Sequence, residues 1–147
     1  MRNLKRLIAT CFAMLSLQAS AAPELLSLDP SVLQKMELES LPPWPKEMIL
    51  EGESEHWEKV LHTGDYVVAL YEAAPALLDI NYPFPYDEFV YVLEGELILT
   101  DTEGNKSTYG VGDMVNIPKG WMGTWHMTSH YRELIIIEAK AWAAAEG

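Results

Sequence analysis

The sequence predicts an all-β barrel or sandwich, and three observations carry that expectation. Short segments with strand character recur along the chain, at 56–61, 66–72, 76–80, 88–93, 97–101, 113–117, 123–128 and 133–138. Turn chemistry separates many of them: Glu94-Gly95, Thr102-Glu103-Gly104-Asn105, Gly110-Val111-Gly112-Asp113 and Pro118-Lys119-Gly120. No helical pattern alternates with these strands, which argues against a parallel α/β sheet.

The elements follow in order. Residues 1–21 read as a secretory signal: Arg2, Lys5 and Arg6 form a positive start, Leu7 to Leu17 an apolar run, and Ala19-Ser20-Ala21 a small-residue processing site. That run is well short of the ~20 residues a membrane-spanning helix requires. Residues 22–64 read as an N-terminal arm with a short helix over 27–41. Asp29 caps that helix, Pro30 occupies its first position, and Val32, Leu33, Met36 and Leu41 recur at helical spacing. Pro42-Pro43-Trp44-Pro45 then ends it, because a proline lacks the donor a helix interior needs. Residues 65–138 form the β-barrel proper, and 139–147 a C-terminal tail or final helical turn.

Composition narrows the function classes. The 147 residues carry 10 basic and 22 acidic side chains, for a net charge of −12. Cleavage after Ala21 leaves 126 residues, removes three basic side chains and the single cysteine, Cys11, and takes the charge to −15. Nucleic acid is excluded as a partner, since binding it needs a basic footprint, and an anionic membrane surface is disfavoured for the same reason. A thiol-free mature chain suits an oxidising compartment, so the expected location is periplasmic or secreted.

Two stretches carry a family resemblance. The first is Tyr86-Asp87-Glu88-Phe89-Val90-Tyr91-Val92-Leu93-Glu94-Gly95-Glu96-Leu97, a strand running into a glycine corner and out again. The second is Gly112-Asp113, then Pro118-Lys119-Gly120-Trp121-Met122-Gly123-Thr124-Trp125. Together they resemble the two motifs of the cupin superfamily, and look most like the small cupins related to ureidoglycine aminohydrolase and the ethanolamine-utilisation cupin. The resemblance covers about Asp65 to Glu138. It implies a double-stranded β-helix, or jelly roll, enclosing a cavity and often assembled as a homodimer. The residues agree with it physically: Gly95 and Gly112 stand where strands must turn sharply, and Pro118 cannot sit in a central strand.

The resemblance also marks what this chain lacks. Metal-binding cupins carry two histidines ahead of the motif glutamate, and those positions here are Asn81 and Pro83, or Tyr82 and Phe84 in a one-residue slip. The last usual ligand position is Gly123. Glu88 alone survives, with Asn81 as a weak oxygen donor, which does not make a tight first-row metal site. His126 could rescue the set only if it faced inward, and strand alternation sends it opposite to Gly123 and Trp125. No metal and no other cofactor is therefore expected.

Glu88 is the best single candidate for acid–base work, because a buried carboxyl needs a partner or a raised pKa. Tyr86 shares its face by alternation and Tyr91 does not. Trp121 and Trp125 could form an aromatic wall for an apolar or cationic ligand, or Trp125 could fill the space of the lost metal site. The candidate ligand-binding set is therefore Asn81, Tyr86, Glu88, Trp121 and Trp125. His56 and His62 carry no motif, Asp113 has a turn role, Glu51 to Glu58 read as a solvated acidic face, and Arg132 with Glu133 reads as a weak ion pair at the start of a strand. The expected function is an exported cupin binding a small polar or cationic molecule without a tight metal. The alternatives are an aminohydrolase-like enzyme using Glu88, and a non-catalytic accessory or protein-interaction domain.

Overall fold

A computed structural model describes residues 23–146; the secretory signal expected at 1–21 lies outside them. A single helical turn, α1 (Pro30–Leu33), leads into strands β1 (Glu39–Ser40), β2 (Ile49–Gly52), β3 (His56–Thr63), β4 (Tyr66–Ala73) and β5 (Ala76–Ile80). Then come β6 (Glu88–Glu94), β7 (Glu96–Asp101), β8 (Lys106–Gly110), β9 (Met114–Ile117), β10 (Gly123–Met127) and β11 (Tyr131–Glu138), and the chain closes with helix α2 (Ala139–Glu146). The strands form two antiparallel sheets, one of six strands in the order β1-β3-β4-β11-β6-β9 and one of five in the order β2-β5-β10-β7-β8. This is the jelly-roll barrel expected from the sequence. No helix among the described residues is long and apolar enough to cross a membrane.

The helix expected over 27–41 shrinks to one turn. Asp29 does cap it, its Oδ1 accepting from the Ser31 amide at 2.9 Å, but the Arg132 guanidinium stops it. That side chain donates to the Leu33 carbonyl at 2.7 Å and the Met36 carbonyl at 3.0 Å. The chain then runs extended, and the Leu41 amide donates to the His56 carbonyl at 2.9 Å. The segment assigned to an arm is thus built into the barrel: β1 and β3 belong to the six-stranded sheet and β2 to the five-stranded one. Strand β8 had no sequence signal, because three of its five residues are exposed polar side chains on a sheet edge.

The six-stranded sheet is covered on both faces. Val67, Ala69, Val90, Ile135 and Ile137 face the lumen, while Val68, Leu70, Leu93 and Leu134 pack outward on Leu33 with Leu28, Met36 and Leu38 beside them. That two-sided burial is why Val67 to Leu70 are apolar without a break. Glycine is required at the corner between β6 and β7: Gly95 has φ +78, and a β-carbon there would sit 2.3 Å from the His130 carbonyl oxygen.

Candidate functional site

Strand register places the titratable side chains. On the lumen face, Glu58 of β3, Tyr71 of β4 and Glu133 of β11 are direct cross-strand neighbours. The next lumen-facing row holds His56, Ala73 and Tyr131. Glu88 of β6 pairs with Ile137 and Ile117. Between the sheets lies a cavity of about 340 Å³, into which these strands bring Glu58, Glu88, Glu133, His56 and Tyr71. Trp44, Tyr82, Phe84, Tyr86, Trp125 and Trp142 line the rest of it, together with aliphatic side chains.

Each polar group has a defined partner. The Tyr131 hydroxyl, fully buried, donates to Glu133 Oε2 at 2.5 Å. His56 Nε2 lies 2.5 Å from the Pro42 carbonyl oxygen and its Nδ1 lies 3.0 Å from the Tyr71 hydroxyl. Trp44 stacks on the His56 ring with centroids 4.4 Å apart and planes 25° from parallel. A second set of rings closes the opposite side: Phe84 stacks on Trp125 at 6.1 Å and meets Tyr86 edge-on at 5.4 Å.

Burial governs the electrostatics. Loss of water, then repulsion from Glu133 and Glu58, push the Glu88 carboxyl well above the usual carboxylate range. Burial also pushes Glu133 up, to about 8, against the hydrogen bond from Tyr131, which favours its ionised form. Both carboxyls are thus pushed above the usual range by burial, and the Tyr131 hydroxyl is the group that favours ionisation of Glu133. Burial with the Glu133 charge raises Tyr71 and Tyr131 far above the normal phenol value. Burial lowers His56, partly opposed by its bond to the Pro42 carbonyl.

Of the residues singled out in the sequence, Glu88, Tyr86 and Trp125 meet at the cavity. Trp125 walls the lumen without filling it. Asn81 does not join them: it is exposed, with its amide 3.4 Å from Asp79 Oδ2. Trp121 lines a smaller neighbouring pocket of about 190 Å³ and meets the wall of the main cavity through its edge-on contact with Trp125 and its carbonyl, which accepts from the Phe84 amide. His126, between the inward Trp125 and Met127, falls on the outer face as alternation requires.

Four residues were misread from sequence. Arg132 and Glu133 are not an ion pair. Arg132 faces outward, bonding Glu72 Oε2 through Nε at 2.6 Å and through Nη2, while Glu133 faces the lumen. Adjacency in a strand was the available signal, since neighbours point to opposite faces. Glu58 is no part of a solvated acidic face: Glu51, Glu53 and Glu55 are exposed, but Glu58 reaches the cavity. His56, two residues before it, does the same.

The family's metal site does not fit these residues. Gly123 has φ +153, and a β-carbon there would lie 2.1 Å from the Thr100 carbonyl oxygen, so no ligand side chain has room. Asn81 and Pro83 are both exposed, and neither lines the cavity that holds Glu88. Among the described residues no group of three potential ligands is placed to hold a metal ion.

Fold and site together define a class: a cupin-type barrel whose lumen carries carboxyls, phenols and indoles where the metal-binding members carry imidazoles. The chain belongs to the EutQ-like cupin domain family, whose model matches residues 61–134. Solved structures agree on the fold. A protein of unknown function from Pseudomonas syringae pv. tomato superimposes with a TM-score of 0.60 at 15% identity, over 71% of this chain and 45% of that one. The EutQ protein of Clostridium difficile gives 0.52 at 23% identity, over 61% of this chain and 66% of its own. The polyketide cyclase RemF from Streptomyces resistomycificus gives 0.53 at 17%, over 79% and 80%. The chain thus spans under half of the first protein and about two thirds of the second. No curated protein sequence matches the chain.

Proposed function

We propose that this cupin is an exported protein whose lumen binds a compact molecule with an aromatic or apolar body and a cationic amine, without a tightly held metal. The observation that carries this reading is the lining: aromatic rings around Glu58, Glu88 and Glu133, with no lysine or arginine among the side chains of the wall. Ring faces attract cations, and an ammonium group among these carboxyls compensates the burial that pushes Glu88 and Glu133 up. A volume of about 340 Å³ suits a small ligand.

Tryptophan fluorescence and thermal shift with 2-phenylethylamine and phenylacetate test the reading, because the two differ mainly in the sign of their charge. The amine is expected to quench fluorescence and raise the melting temperature, and phenylacetate to do neither. Equal binding of both, or binding of neither, overturns it. So does one equivalent of metal per chain after purification without chelator. Fractionation checks export: the mature chain is expected outside the cytoplasm beginning at Ala22, and as a homodimer by light scattering.

One observation favours a second reading, an enzyme in which Glu88 acts as an acid: its carboxyl is held protonated beside an aromatic-lined cavity.

A further inference from the structure

We propose that Tyr71 and His56 form a proton-accepting dyad that makes the lumen a metal-independent general-base site. Its substrate class is a compact, flat molecule with an acidic C–H or N–H. The proposal rests on the reading above only in requiring that the lumen admit a small molecule.

The hydrogen bonds fix the direction of transfer. A carbonyl oxygen can only accept, so His56 Nε2 carries a proton and donates it to Pro42 across 2.5 Å. Nδ1 is then the lone-pair nitrogen, and the Tyr71 hydroxyl donates to it across 3.0 Å. Trp44 bonds the same phenol through its side chain while its ring covers the imidazole. Tyr71 and His56 both belong to the cavity wall, so the phenol oxygen keeps acceptor capacity toward a ligand. A third group orients the base, the general arrangement of an activated proton acceptor.

The step balances without a co-reactant. The substrate X–H bond breaks, its electron pair stays on X, and an O–H bond forms at Tyr71. The original Tyr71 proton passes to His56 Nδ1. The products are a substrate anion and an imidazolium that donates to Pro42 and to Tyr71, with its charge on the face of Trp44. Glu58 and Glu133 flank Tyr71 in its row, Tyr131 lies in the row of His56, and Glu88 acts from β6. These acidic neighbours make a lasting phenolate costly, so the proton moves through the phenol instead of leaving it charged. The imidazolium is supported instead by its bond to the Pro42 carbonyl, which partly offsets the burial of the ring.

A single-step probe tests this. In 5-nitrobenzisoxazole, loss of the ring C–H proton forms a nitrile and breaks the N–O bond, whose electron pair leaves as a coloured phenolate. The protein is expected to open it at least about a hundredfold faster than free imidazole at equal concentration, the lower end of positioned general-base catalysis. The rate should rise with pH at a midpoint below the ordinary histidine value. Tyr71→Phe and His56→Gln should each cost about a hundredfold at pH 7 while tryptophan quenching shows the probe still bound. Nitrogen NMR should find the proton on His56 Nε2.

Several results overturn the dyad: bound probe without turnover, a rate untouched by Tyr71→Phe, a proton found on Nδ1, or a midpoint near 8, which would make Glu133 the base. Failure of the probe to bind at all overturns the dyad as well. Phenylethylamine binding then reports separately whether the amine reading survives.

Discussion

The two walls of the lumen are made from the same kind of strand and do opposite things. The six-stranded wall carries His56, Glu58, Tyr71, Glu88, Tyr131 and Glu133, all facing inward. The five-stranded wall answers with Leu78, Ile80, Trp125 and Met127. Polar chemistry is therefore held on one side, supported by hydrogen bonds within its own sheet and with Pro42 and Trp44, and the facing wall supplies shape and a low dielectric. The raised carboxyls follow from that division: acidic groups on one wall face a partner wall with no charge to offer them.

The strongest way to break this division is to return a ligand to the apolar wall. Gly123→His places a β-carbon 2.1 Å from the Thr100 carbonyl oxygen, at a φ of +153 that side chains avoid. Backbone strain and overpacking together predict a loss of about 4 kcal/mol in chemical denaturation, with no gain in zinc affinity. Full stability with stoichiometric zinc would show that the wall can yield.

Removing the apolar wall's largest side chain comes next. Trp125 is buried and bridges Phe84 and Trp121. Trp125→Ala should cost about 3 kcal/mol, the low end for such truncations because one side already opens on the cavity. Admitting water should also lower the carboxyl pKa values, seen as a downfield shift of the Glu88 and Glu133 carboxyl carbons at pH 7.

Glu133→Gln tests the polar wall itself. The folded-state pKa of Glu133 is raised above the ordinary value of 4.5, to about 8. Below 4.5 both folded and unfolded chains hold the proton, and the favourable burial of the neutral acid is fully present. As pH rises toward 8 the unfolded chain ionises first, so stability falls across that window. One pKa unit corresponds to about 1.4 kcal/mol, and sharing of charge with Glu88 reduces the expected fall to roughly 2 kcal/mol between pH 5 and 8. The glutamine variant keeps an acceptor for Tyr131 and should show a flatter profile. An unchanged slope would mean that Glu133 is not the group responsible.

The apolar wall was much more legible in the sequence than the polar one. Alternation across Trp125 and His126 placed both correctly, whereas Tyr86 reaches the lumen from the bend before β6. Gly112-Asp113 read as a turn, and Asp113 Oδ2 indeed accepts from the Gly110 amide at 2.8 Å. Asn81 failed because it lies just beyond β5, where strand alternation no longer governs direction. The polar wall depends on strands that meet only in three dimensions. His56 and Glu58 precede the recognisable motifs and acquire meaning when β3 pairs with β4. Arg132 looked like the partner of Glu133, but its true partners are Glu72 and two carbonyls some hundred residues earlier in the chain.

The smallest expected effect separates the two faces of the polar sheet. Glu72 and Tyr71 are consecutive in β4, and so point to opposite sides; Glu72 meets Arg132 outside, and its Oε1 lies 3.1 Å from His130 Nε2. The His130 side chain is 46% exposed, and Glu72 already has Arg132 as its partner. His130→Gln should therefore change stability by no more than about 0.5 kcal/mol at any pH, measured by urea denaturation. It should also leave the pH slope assigned to Glu133 intact. A large effect would mean that the outer carboxylate is coupled through the sheet to the lumen, and that the electrostatics of this wall cannot be divided between its faces.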